Sequence, residues 1–142
     1  MTKVLFVCHG NICRSPMAEF VMKDMVAKAG RSGELYIASA AVSREEIGNP
    51  VYPPARAELA RNGIGCAGHA AHQITRRELE EFDLIYYMDA SNGRYLRRLF
   101  GDDAAKCRPL LSRDVADPWY TGDFRQTYDD ILEGCRRIME EN

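Results

Sequence analysis

Short apolar runs alternate with helix-period segments along the whole chain, and this order constrains the fold more than any other feature. Lys3 to Val7 reads as a buried strand. Ser15 then offers an N-cap hydroxyl, and Pro16 suits the first position of a helix. Ala18, Val21, Met22, Met25 and Ala29 continue at helical spacing until Gly30 can end it. "ELYIAS" (Glu34 to Ser39) reads as a second strand, "DLIYYM" as a third and "CRPLL" as a fourth. Among them stand three helices: Ala55 to Asn62 closed by Gly63, "TRRELEEF" capped by Thr75, and Ser91 to Phe100 stopped by Gly101. A last helix carries Phe124, Tyr128, Ile131, Cys135 and Ile138 on one stripe. Ala41 to Pro54 and "DVADPWYTGD" show no period and read as loops. Alternation of this kind predicts an α/β fold: one doubly wound domain over residues 1–142, a four-stranded parallel sheet with helices on both faces.

Composition narrows the class of partner. The formal charge is −2, which gives no support for nucleic acid or an anionic membrane as the main partner. Basic pairs such as Arg76-Arg77 and Arg97-Arg98 read as solvated helix faces. The opening apolar core, Val4 to Val7, is too short for an export segment, and no window approaches a membrane span. Five cysteines (Cys8, Cys13, Cys66, Cys107, Cys135) are odd in number and scattered, as reduced thiols in a cytosol would be. The expected address is therefore cytoplasmic. No CxxC pair or histidine-rich cluster points to zinc.

Ligands of a doubly wound sheet bind beyond the carboxyl ends of its strands. "VCHGNICRSP" falls at that end of the first strand. Gly10 permits a turn that exposes successive N–H groups, and the following helix turns its positive end toward the same loop. Amides plus a helix N-terminus make an anion-binding loop suited to phosphate. That field also stabilises a thiolate on a nearby cysteine. Arg14 adds a planar fork for two phosphate oxygens. Cys8 and Arg14 bracket five residues, a C-x5-R pattern. The pattern alone is weak, since Cys107 to Arg113 repeats it, but that copy lacks a glycine and carries Pro109. Only the first copy has the strand, turn and helix around it.

A thiolate beneath a bound phosphate ester would attack phosphorus, and the departing oxygen would need a proton. Asp117 in "DPWY" is the candidate acid: Pro118 stiffens the turn, and Trp119 and Tyr120 supply flat apolar walls for an aromatic substrate.

"VLFVCHGNICRSPMAE", together with "SA…IGNP", "FDLIYYMD" and the late "DPWY", resembles the low-molecular-weight protein tyrosine phosphatase family over essentially the whole chain. The resemblance implies a cysteine-dependent phosphatase that acts on tyrosine-phosphorylated proteins through a phosphocysteine, with no metal and no cofactor. It implies that Cys8 is the nucleophile, Arg14 the phosphate clamp and Asp117 the general acid and later base. Asn11 and Ser15 would hold loop and thiolate by hydrogen bonds, supported by Ser39 and His69. His9, Gly10, Ile12 and Cys13 complete the substrate loop, with Glu45, Trp119 and Tyr120 along the cleft.

Two positions depart from the family pattern. His72 stands where the family usually has arginine. Glu45 stands where it usually has an aromatic residue, which replaces a stacking wall by a charge. Three other readings are open to such a chain. A thioredoxin-coupled arsenate reductase needs two further cysteines close together, and Cys66, Cys107 and Cys135 are scattered. A non-catalytic phosphotyrosine-binding module would have no use for Cys8, Arg14 and Asp117 together. The related protein-arginine phosphatases usually carry threonine in place of Ile12, whose branched apolar side chain suits a tyrosyl ring.

Overall fold

A computed structural model describes residues 1–142. Four strands, β1 (Thr2–Cys8), β2 (Leu35–Ala41), β3 (Leu84–Tyr87) and β4 (Cys107–Pro109), form one sheet in the order β2-β1-β3-β4. Every pairing is parallel, with Val4 beside both Ile37 and Leu84, and Ile85 beside Cys107. The helices are α1 (Arg14–Lys28), α2 (Pro53–Arg61), α3 (Arg76–Glu81), α4 (Ala90–Phe100), α5 (Pro118–Thr121) and α6 (Phe124–Glu141).

Strand periodicity sorts the core into two layers. Val4, Phe6 and Cys8 join residues of α1, α2 and α6 on one face. Leu5 and Val7 point the other way, toward Leu79 of α3 and Leu96 of α4. The sheet is thus covered on both faces, which is why β1 is apolar throughout Val4 to Val7 rather than alternating. Helix α6 lies so close to the strand ends that a Cβ on Gly134 would meet Leu110 at 2.5 Å. β1 is flanked by β2 on one side and β3 on the other, so the chain's connectivity reverses beside its carboxyl end. That crevice holds the "CHGNICR" loop.

Several boundaries differ from the sequence reading. Helix α1 starts at Arg14 with Cys13 as N-cap and no side-chain capping bond, so Ser15 is not the cap. Helix α2 starts at Pro53, inside the expected loop, because proline at the first turn costs no hydrogen bond. Residues Gly101–Lys106 wind into a 3₁₀ turn, which shortens β4 to Cys107–Pro109. Within "DPWY" the one-turn helix α5 is capped by Asp117 itself.

All five cysteines are free and buried. Burial, with help from the neighbouring Cys8 and Asp117, pushes the Cys13 thiol up to about 12; burial pushes Cys107 to about 11 and raises Cys135 further. In an unfolded chain such thiols ionise near ~8.5. Between these values the unfolded chain releases protons that the folded one keeps, so rising pH favours unfolding. The stability held in these thiols is whole below about pH 8.5 and drains as pH climbs toward about 11 to 12. The urea midpoint should therefore fall over that window. A midpoint that stays level there would mean that the thiols ionise equally well in both states.

Candidate active site

The loop from Cys8 to Arg14 turns tightly around the Cys8 sulfur. Asn11 makes the turn possible: it is the single non-glycine residue at positive φ, 60°. Its N–H donates to Cys8 Sγ at 3.3 Å, and Ser15 Oγ stands 3.0 Å from the same sulfur. The N–H groups of His9, Gly10, Ile12 and Cys13 donate to no group of the protein. With the start of α1 they form an open array of donors over Cys8, as an oxyanion requires.

The side chain of Asn11 ties that array to the sheet. Its Nδ2 donates to Ser15 Oγ at 2.8 Å and to Ser39 Oγ at 3.0 Å, while Oδ1 accepts from the His72 N–H at 3.3 Å. Because Ser15 Oγ accepts from Asn11, its proton is available to Cys8 Sγ, with Ala40 O a more distant alternative at 3.4 Å. His69 Nε2 donates to the Asn11 carbonyl at 2.7 Å. The Ser39 hydroxyl donates to Glu19 at 2.5 Å, and Lys23 holds the other oxygen of that carboxylate. Ser39 and His69 thus both hydrogen-bond to Asn11 of the loop. His72 joins through its backbone only, for its ring pairs with Glu78 at 2.8 Å. That bond to Glu78 raises the His72 pKa. Ser15 fails as a helix cap for a physical reason: its hydroxyl is committed to the sulfur.

Arg14 lies 2% exposed and is held along one edge. Nη1 donates to Asp89 at 2.7 Å and to the Val115 carbonyl at 2.8 Å, and Nη2 reaches Asp117 at 3.4 Å. Both Nη1 protons are spent, which leaves Nε–H and one Nη2–H as a parallel fork. Burial works against the guanidinium charge, but Cys8, Asp117 and Asp89 outweigh it and raise the Arg14 pKa. Asp89 also caps α4, accepting from the Asn92 N–H at 2.8 Å. One carboxylate thereby fixes both a helix start and the arginine.

Asp117 Oδ1 accepts from the Trp119 N–H at 3.0 Å. The sequence reading placed apolar walls beside this carboxyl; its immediate partners are instead two N–H donors. The walls stand at the mouth. Trp119 leans on Tyr52 with ring centroids 4.8 Å apart, and Tyr120 is 85% exposed. Cys8, His9, Gly10, Ile12, Cys13, Arg14, Asp117, Trp119 and Tyr120 line one pocket of about 160 Å³. Glu45 and Glu46 complete its rim, and Glu45 pairs with His9 Nε2 at 2.8 Å. No three His, Cys, Asp or Glu side chains cluster as a metal-binding set. Asp89, Glu19, Tyr52 and Glu46 are the site's residues that the sequence reading missed.

A profile of the low molecular weight phosphotyrosine protein phosphatases matches residues 3–141. The chain belongs to this family. It is 40% identical to the low molecular weight protein-tyrosine-phosphatase YfkJ of Bacillus subtilis over 98% of this chain and 94% of that one. The crystal structure of YfkJ superposes with a TM-score of 0.95 at 39% identity, over 99% of this chain and 94% of that one. The low molecular weight protein tyrosine phosphatase of Streptococcus pyogenes follows at 0.92 and 38%, over 99% and 93%. A Drosophila arginine phosphatase shares the fold at 0.88 and 30% identity, over 99% and 97%. Family and fold agree with the sequence reading, and no helix of this phosphatase-family chain is long and apolar enough to cross a membrane.

Proposed function

We propose that this chain is a protein tyrosine phosphatase that works through a phosphocysteine on Cys8. The observation that carries the reading is Cys8 Sγ beneath four unpartnered loop N–H groups, with the free fork of Arg14 beside it. The ester's phosphate oxygens take the loop N–H groups and the Nε/Nη2 fork. Ser15 O–H and Asn11 N–H hold the Cys8 thiolate, which attacks phosphorus in line with the tyrosyl oxygen. As that P–O bond breaks, Asp117 gives its proton to the leaving phenolate oxygen. Asp117 then takes a proton from water; the hydroxide attacks phosphorus, breaks the S–P bond and returns the thiolate with inorganic phosphate.

Substrate choice follows from the walls. Ile12 and Trp119 offer apolar faces on which a phenyl ring can lie. The catalytic unit is residues 1–142, acting on phosphoproteins in the cytoplasm. An arsenate-reducing relay is less well supported, since Cys107 belongs to the core opposite that of Cys66 and Cys135. A panel of peptides phosphorylated on tyrosine, serine or arginine tests the assignment. Phosphotyrosine should be turned over with the highest kcat/KM and without added metal. Faster release from phosphoarginine, or arsenate-dependent thiol oxidation in place of hydrolysis, overturns it.

A further inference from the structure

Charge changes sign along a run of side-chain contacts that leads from the pocket rim to helix α4. Glu45 and Glu46 occupy one side, and the Glu45 side chain is 66% exposed. His9 links this side to helix α4: its Nε2 meets Glu45, and its ring makes an edge contact with Tyr95, centroids 5.5 Å apart. On Tyr95, in turn, lies the guanidinium of Arg98, 4.7 Å from the ring centroid. Arg94 is one turn earlier on the same ridge, and both arginines are exposed. Neither forms an ion pair with a carboxylate of the chain, whereas Arg76 and Arg77 of α3 are both paired. The contact order is therefore carboxylate, imidazole, phenol, guanidinium.

Resting on the phosphotyrosine reading above, we infer that this rim reads the substrate in one orientation. The acidic flank of the phosphotyrosine segment lies along Arg94 and Arg98, and a basic flank lies at Glu45 and Glu46. Spacing sets the positions. Arg94 and Arg98 follow Asp89, which holds Arg14 at the pocket, by about 7.5 and 13.5 Å of helix at ~1.5 Å per residue. An extended peptide advances about 3.3 Å per residue, so these arginines fall beside residues roughly two to four places from the phosphotyrosine. Arg98 is flattened on an aromatic ring, which limits its freedom and lowers the entropy lost on pairing. Glu45, Arg94 and Arg98 are exposed and Glu46 is half-buried, so each pair contributes modestly and is screened by salt.

The test is a set of phosphotyrosine peptides with one Asp or one Lys moved through the flanking positions, each rate divided by that for a small aryl phosphate. Arg94→Gln/Arg98→Gln should lose about three- to tenfold in relative kcat/KM on peptides with an acid two to four residues away, on one side only. Glu45→Gln/Glu46→Gln should lose a similar factor on the lysine peptides of the opposite side. Both differences should shrink at about 1 M salt, where the Debye length is about 3 Å. Losses that are equal for acidic, neutral and basic peptides, or that ignore salt, overturn the inference while leaving the phosphatase reading intact. A wild type that hydrolyses aryl phosphate but no phosphotyrosine peptide overturns the substrate reading, and this inference with it.

Discussion

Cys8→Ser is expected to abolish hydrolysis of aryl phosphates while leaving anion binding in place. A serine hydroxyl stays protonated near neutrality, and the loop holds no base within reach to activate it; Ser15 and Asn11 approach position 8 as donors. The groups proposed to bind phosphate are untouched by the change. They are the free N–H groups of the loop and the Arg14 fork, fixed by Asp89 and the Val115 carbonyl. Trp119, the only tryptophan of the chain, stands at the pocket mouth and offers a fluorescence signal for occupancy. Phosphate or vanadate should change that emission in Cys8→Ser as in the wild type, and vanadate should inhibit the wild type. Residual turnover of more than a trace, or a variant that no longer binds either anion, would remove Cys8 from the role of nucleophile.

How much of this site could be read from the chain depends on how local each interaction is. Cys8, Asn11, Arg14 and Ser15 lie within eight residues, so the strand, turn and helix around them identify the loop without any knowledge of the tertiary structure. Parallel topology was equally legible, because both faces of β1 are buried and the helices punctuate every crossover. Asp89 was not. It reads as an ordinary helix cap, and only the pairing of β1 with β3, which brings the starts of α1 and α4 to the same end of the sheet, sets it against Arg14 across 75 positions of sequence. Glu19 hides in the same way: its spacing on α1 gives no hint that Ser39 of the neighbouring strand points at it. Ser15 shows the converse error. Serine before proline is a good cap in isolation, but the tertiary demand of the Cys8 sulfur takes its hydroxyl and leaves the helix start to Cys13. Arg97 and Arg98 are exposed, as a solvated helix face requires, and Arg98 meets Tyr95 as an i, i+3 neighbour on α4; the contact no local rule supplies is that of Tyr95 with His9 beside the pocket.

The other large effect is expected at Asp117. Asp117→Asn should lower turnover of a poorly acidic phenol ester by roughly 10²–10⁴-fold, the usual contribution of a general acid. Asparagine is the informative replacement. As N-cap of α5, Asp117 accepts from the Trp119 N–H at 3.0 Å, and an asparagine carbonyl can accept that bond equally well. Trp119 should therefore keep its place against Tyr52, and the mouth its shape. What the amide cannot do is transfer a proton to the phenolate oxygen or take one from water. The loss in the rate of phosphocysteine formation should therefore scale with how much the leaving group needs protonation: large for a phenol of tyrosine-like basicity, small for a nitrophenol acidic enough to leave as the anion. With the acidic leaving group, formation of the phosphocysteine should stay fast while its hydrolysis slows, because water has lost its base. A rapid burst of phenol followed by slow turnover is the expected signature. Were the rate to fall by one common factor across the whole leaving-group series, without a burst, Asp117 would be serving only as the cap of α5 and as a neighbour of Arg14.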